Sequence, residues 1–173
     1  METIRPGRVE DMAAVADIYN HFILHTHNTF ETVTVSEENR RRWFEQFSVD
    51  GPYRIYLAEE DGEILGFACS TRYHERAAYY TSVMTSVFLR PGQAGKGIGR
   101  KLYTLLLDAL GKARDLHRAY ALISLPNDAS IALHEKLGFR KVGILDEAGR
   151  KFGRFLSVQI LEKPLQGLTS QSA

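Results

Sequence analysis

One cysteine, Cys69, stands in the 173 residues, so no internal disulfide can form. The opening Met1-Glu2-Thr3-Ile4-Arg5-Pro6 lacks a basic-then-apolar signal pattern, and a reducing cytoplasm is the expected compartment. No apolar run approaches the roughly 18 residues that a membrane-spanning helix needs. Neither charge is in surplus. Lys and Arg number 22 against 21 Asp and Glu, a net charge of +1, which gives nucleic acid no basic stripe to bind. The six histidines (His21, His25, His27, His74, His117, His134) form no zinc-type spacing beside a partner Glu. His21 and His25, four apart, read as a helix end, and no metal is expected. No repeat and no Pro/Ser-rich linker divides the chain.

What is present suits one globular domain over 1–166, with 167–173 read as a disordered tail. The apolar share is 44 % and the charged share 25 %, both ordinary. Ile4-Arg5 is a short strand. A helix follows, with Met12, Val15, Ala16, Tyr19, Phe22 and Ile23 on one stripe. Thr34 and Glu37 match a capping box for a second helix through Trp43 and Phe47. Tyr53 to Glu59 and Glu63 to Ser70 are strands around Asp61-Gly62, a dipeptide that tolerates positive φ and makes a hairpin. Ser82 to Leu89 is a strand ended by Pro91-Gly92. A long helix then carries Ile98, Leu102, Leu105, Leu106, Ala109 and Ala113 on its apolar face. Arg118 to Leu125 is a strand, and Asn127 to Leu137 a helix capped by Gly138. Strands near Arg140 to Leu145 and Phe155 to Lys163 finish the chain. The order β-α-α-β-β-β-α-β-α-β-β implies an α/β domain, a mixed sheet with helices on both faces.

Gly95-Lys96-Gly97-Ile98-Gly99-Arg100 joins a strand to a helix. Glycines let a backbone approach a ligand closely. The free N–H groups of a helix's first turn attract an anion, and Lys96 and Arg100 add positive charge. A phosphate-bearing ligand fits. The NTPase loop is excluded because its terminal Lys-Ser/Thr pair is missing. A dinucleotide fold is excluded because this turn comes late and no acidic residue follows about 20 positions on. A plain glycine-rich turn would show the same residues.

Downstream, Asn127, Ser130, His134, Gly138 and Phe139 satisfy N-x-x-[AS]-x-x-x-[YH]-x-x-x-G-[FY]. With the glycine turn, this resembles the GCN5-related N-acetyltransferase (GNAT) superfamily. Its pyrophosphate loop, Q/R-x-x-G-x-G/A, matches at Gly97 and Gly99; Ala94 replaces the usual Gln or Arg, and Gln93 lies one residue early. Ile18-Tyr19-Asn20-His21, Thr29-Phe30-Glu31, Leu125-Pro126-Asn127-Asp128, Leu133-His134-Glu135 and Gly149-Arg150-Lys151-Phe152-Gly153 are similar to its phosphinothricin acetyltransferase-like branch.

The resemblance implies a sheet with a V-shaped split and acetyl-CoA as co-substrate. Pantetheine would pair with Val87, Phe88 and Leu89, with Asn127 reaching the arm. Pyrophosphate would sit on Gly95, Lys96, Gly97, Ile98, Gly99 and Arg100. A backbone N–H around Phe88 would serve the oxyanion. The amine would enter near Phe30 and the segment from His74 to Ser86, which includes Glu75, Arg76, Met84, Thr85 and Ser86.

His134 by its position alone reads as a helix histidine packed between Ile131 and Leu137. It also stands where the superfamily usually has a tyrosine acting as general acid, and the resemblance implies a role in proton transfer or in binding. Met84 stands where the branch usually has a glutamate base. Glu31 and Glu75 are the possible substitutes. Arg72 and Arg76 are candidates for an acceptor carboxylate. Tyr73, Tyr79, Tyr80 and Phe30 wall the pocket, belong to the core or form a dimer contact; the resemblance implies a homodimer, for which the segment Tyr73 to Tyr80 and the C-terminal strand offer surface. Cys69 reads as a buried, inert residue.

The expected function is N-acetylation of a small amine, including amino-acid-like compounds of the phosphinothricin or methionine sulfone and sulfoximine type. One alternative is an acetyl-CoA-binding protein with reduced or lost catalysis, given Met84. The other is a peptide or protein N-acetyltransferase.

Overall fold

Hydrophobic patterning of both periods converges on one seven-stranded sheet in the computed structural model, which describes residues 2–165. The tail expected at 167–173 lies outside the described residues. The strands are β1 (Thr3–Pro6), β2 (Ile55–Glu60), β3 (Glu63–Arg72), β4 (Ser82–Leu89), β5 (Arg118–Ser124), β6 (Arg140–Lys151) and β7 (Arg154–Pro164), in the spatial order β1-β2-β3-β4-β5-β7-β6. The helices are α1 (Met12–His25), α2 (Glu37–Phe44), α3 (Ile98–Gly111) and α4 (Asp128–Lys136). All sheet neighbours are antiparallel except β4 and β5, which run parallel.

Each face of the sheet buries its own apolar cluster. Met12, Val15 and Ile18 of α1 pack on Ile55, Leu57, Phe67 and Cys69. On the other face Leu102, Tyr103, Leu106 and Leu110 of α3 pack on Ala58, Ala68, Val83, Ala119 and Ala121. Fully burying such a leucine stabilises the fold by about 1.5–3 kcal/mol. Asp61 and Gly62 both take positive φ, 51° and 83°, as the hairpin between β2 and β3 requires.

Four local expectations are corrected. Ser36, not Thr34, caps α2: its Oγ accepts the Asn39 N–H at 3.1 Å, directly ahead of the acidic first turn Glu37-Glu38. That helix stops at Phe44, short of Phe47. The buried face of α3 is turned from the predicted stripe, because Leu105 is 38 % exposed while Tyr103, Leu107 and Leu110 are buried. The final hairpin is longer than its apolar pattern suggested. Its strands continue to Lys151 and restart at Arg154, around Phe152 and Gly153 at positive φ.

Candidate active site

The sheet opens between its two parallel strands. β4 and β5 pair only at Ser82↔Arg118, Val83↔Ala119 and Met84↔Tyr120. Beyond that point β4 stays with β3 as far as Gly66↔Leu89, and β5 stays with β7 as far as Ser124↔Val158. The main chain of β4 therefore faces a gap. Arg90 N–H bonds the Leu65 carbonyl on the β3 side. Strand alternation then turns Ser86 and Phe88 backbone groups to β3, and Val87 and Leu89 groups into the gap. The Phe88 N–H, expected at the oxyanion, therefore points to β3, and the N–H groups of its neighbours Val87 and Leu89 open into the gap.

A cavity of about 670 Å³ fills this gap. Val87, Phe88, Leu89, Gly95, Gly97, Gly99, Arg100, Asn127 and His134 all line it. Gly97 caps α3 at φ 84°, a left-handed conformation costly for any residue with a Cβ. Two of the predicted residues do not contribute side chains. Ile98 is buried in the core at 2 % exposure, and the Lys96 ammonium donates to Gln93 Oε1 at 2.9 Å. Asn127 caps α4: its Oδ1 accepts Ser130 N–H at 3.2 Å, which leaves its amide Nδ2 for a ligand. Unpaired strand edge, helix N-terminus and free amide together fit an extended, pyrophosphate-bearing arm.

His134 sits in the wall of this cavity, only 3 % exposed. Its Nδ1 lies 2.7 Å from the Ser130 carbonyl, which can only accept, so Nδ1 carries a hydrogen. Its Nε2 lies 2.9 Å from the Tyr103 hydroxyl, and that hydroxyl lies 2.6 Å from Thr85 Oγ1. Thr85 Oγ1 also reaches the Tyr120 carbonyl at 3.0 Å. Burial pulls the His134 pKa down, opposed by the Ser130 bond. The neutral ring then accepts from Tyr103, and neither nitrogen is free to face the cavity. An added proton is accommodated if the Tyr103 and Thr85 hydroxyls both turn round. Tyr103 lies outside the apolar stripe that the sequence pattern marks on this helix and is wholly buried; no sequence motif marks its hydroxyl.

A second cavity, about 340 Å³, lies on the α1 and α2 face. It shares Asn28, Ser86, Phe88 and Leu122 with the first, so the two meet through the sheet opening. The segment after α1 forms its roof and is tied down at several points. Ser124 Oγ donates to the His27 carbonyl at 2.5 Å, and Tyr19 OH pairs with Thr29 Oγ1 at 2.8 Å. Lys151 Nζ, 5 % exposed, donates to the Thr29 carbonyl at 2.8 Å, and burial lowers its pKa. Cys69 lines this cavity with its thiol pushed up to about 12 by burial, an unreactive state.

Of the residues expected around the amine, Phe30 and Ser86 line the second cavity. Thr85 lines the first cavity instead. Met84 is half-buried on the same sheet face as Ser86, opposite Thr71, but is not in the wall. Glu31 is exposed at the rim, where its charge reaches both Arg40 and Lys151. Glu75 and Arg76 lie on an exposed loop outside both cavities, and Glu75 is paired with Arg72 at 2.8 Å. Tyr73 stacks on Tyr120 with ring centroids 4.5 Å apart, while Tyr79 and Tyr80 are 42 % and 48 % exposed. Arg40, which sequence reasoning passed over, stands in the cavity wall. Its place in the run Arg40-Arg41-Arg42 gave no reason to separate it from two solvated neighbours.

A split parallel pair, a glycine turn at a helix N-terminus and a second cavity meeting the first define an acyl-CoA-dependent acyltransferase. Residues 18–139 match the Acetyltransferase (GNAT) family. The chain is 49 % identical over 164 residues to a phosphinothricin N-acetyltransferase of Streptomyces coelicolor, covering 94 % of this chain and 95 % of that one. It is 36 % identical to an L-methionine sulfoximine/L-methionine sulfone acetyltransferase of Salmonella typhimurium, covering 94 % of each. The structure of yncA, a putative acetyltransferase of Salmonella typhimurium with acetyl-CoA, superposes with a TM-score of 0.92 at 34 % identity, covering 100 % of this chain and 99 % of that one. The chain belongs to the GNAT family and is an acetyl-CoA-dependent N-acetyltransferase of small-molecule amines.

Proposed function

We propose that this enzyme acetylates the amine of an amino-acid-like compound, of the phosphinothricin or methionine sulfone and sulfoximine type. The observation that carries this is the second cavity. At about 340 Å³ under a tied-down roof, it suits a molecule of amino-acid size. The relatives' substrates are of that class by name.

In the reaction the amide C–N bond forms, the thioester C–S bond breaks, the amine loses a proton and the departing sulfur gains one. The shared wall of Ser86, Phe88 and Leu122 brings the two reactants together, and such ordering contributes up to ~7–11 kcal/mol. Val87 or Leu89 N–H stabilises the oxyanion from the open edge of β4. Gly95, Gly97, Gly99 and Arg100 hold the phosphates, and Asn127 Nδ2 holds the amide arm. His134, with both nitrogens engaged, positions α4 and the cavity wall. Glu31, whose charge acts on Arg40 and Lys151, is the candidate carboxylate on the acceptor side, and solution supplies the neutral amine where Met84 offers no base.

The same reading takes 1–166 as one catalytic domain, places the enzyme in the cytoplasm, and needs no metal. It makes the enzyme a homodimer through the β6–β7 hairpin, which exposes Ile144, Phe152 and Phe155. A thiol-release screen over amino acids, their sulfone and sulfoximine analogues, polyamines and peptides tests the function. Turnover is expected on the amino-acid analogues; turnover confined to polyamines or peptides overturns the reading.

A further inference from the structure

Among the described residues, the acceptor cavity has one charged group in its wall, and that group has no ion-pair partner. Arg40 follows Ser36 by one helical turn, and its backbone N–H bonds the Ser36 carbonyl at 3.1 Å. Its neighbours Arg41 and Arg42 pair with Glu37 and Glu38 at 2.8 and 3.4 Å on the solvent side of α2. Arg40 points the other way and is 9 % exposed. Its Nε is the one buried side-chain polar atom without a hydrogen-bond partner among the described residues. The guanidinium carbon lies 4.3 Å from the centroid of the Tyr19 ring and 4.8 Å from that of Trp43. Both aromatic residues also line the cavity.

A buried cation is costly unless paired, because its hydration is lost. Ring faces recover part of that cost. They also fix the plane of the guanidinium, which preorganises its donors for a planar oxyanion. Tyr19 is itself fixed by its bond to Thr29 Oγ1, so the arrangement is built before any ligand arrives. No carboxylate of the described residues lines the cavity to answer the charge, and Glu31 acts on it through its charge.

The geometry assigns Arg40 as the receptor for an oxyanion of the acceptor, and so as a determinant of substrate class. This rests on the amino-acid-like acceptor proposed above. It replaces Arg72, at the end of β3, and Arg76, on the loop that follows, neither of which lines the cavity. Two sources of oxyanion share this chemistry, the α-carboxylate and an acidic group at the far end of the side chain.

Three acceptors separate them in steady-state kinetics: methionine sulfone, its α-carboxamide, and the α-carboxamide of phosphinothricin. The first carries only the α-carboxylate, the second no anion, the third only the distal phosphinate. Arg40→Gln is expected to raise KM about 10- to 100-fold for at least one anionic acceptor, the range for a charged hydrogen bond. The anion-free acceptor should be unaffected, and Arg40→Lys should recover part of the loss. Calorimetric binding of acetyl-CoA should not change, because Arg40 does not line the first cavity. An equal loss on all three acceptors, or no loss on any, overturns the assignment. If Arg40→Gln does not fold, the wild type decides: equal kcat/KM for all three overturns it, and a preference for an anionic acceptor supports it. A wild type inactive on every one of them, but active on polyamines, refutes the proposed function instead.

Discussion

The ring of Phe30 packs on Gly149 so closely that a Cβ there would stand 2.3 Å from Phe30 Cε2. The roof of the second cavity thus rests on β6, whose next buried residue, Lys151, holds the Thr29 carbonyl. Gly149→Ala should displace the ring rather than unfold the protein, since Phe30 is 37 % exposed and can swing away. The expected stability loss is under ~1 kcal/mol, with a raised KM for the acceptor and an unchanged KM for acetyl-CoA. Equal acceptor KM values for variant and wild type would show that Phe30 does not shape the site.

Stability should depend on pH through His134. Its folded pKa lies below the ordinary 6.5 because burial disfavours the cation. Below about pH 6.5 the unfolded chain takes up a proton that the folded ring refuses. This contribution is fully present above that pH and is lost as pH falls towards the folded value. Urea midpoints should drop from pH 7.5 to 5.5, and His134→Gln should flatten that drop. An unflattened slope would place the titration elsewhere.

Tyr103→Phe removes the donor to His134 Nε2 and leaves a buried acceptor unsatisfied. A loss of about 1–3 kcal/mol is expected in urea unfolding. Acetyl-CoA binding should persist, because Tyr103 does not line the cavity. Loss of binding with stability unchanged would assign Tyr103 to the site itself.

Gly97→Val tests the turn. Nothing lies within 4 Å of a Cβ built there, so space is not the obstacle. The cost is the left-handed φ of 84°, worth about 1–2 kcal/mol or more for a branched residue. Calorimetry should show acetyl-CoA binding weakened about tenfold or more. Unchanged affinity would mean that the turn does not hold the phosphates.

Met84→Glu puts a carboxylate on a half-buried face between Thr71 and Tyr120. Burying a charge there is costly, so the expected result is a fall in kcat/KM of about tenfold or more. A clear gain in kcat on the best acceptor would instead reveal a missing base.

The sequence by itself determined the order of elements, the glycine turn and the α4 signature. Each is a local matter. Positive φ at Gly97 and Gly138, the Asn127 cap and the hairpin at Asp61-Gly62 depend on a few adjacent residues. The sequence also marked Thr29-Phe30-Glu31 and Gly149 to Gly153 as separate blocks, without showing that they touch. Only the tertiary structure joined them, because β6 returns beside the roof after the whole sheet has formed. It alone engaged both nitrogens of His134, through Tyr103 from α3 and Ser130 from α4. It also distinguished Arg40 from Arg41 and Arg42. Three adjacent arginines look alike in sequence, but successive helical positions are turned about 100° apart, from 3.6 residues per turn. Packing against Tyr19 decides which of them faces the cavity.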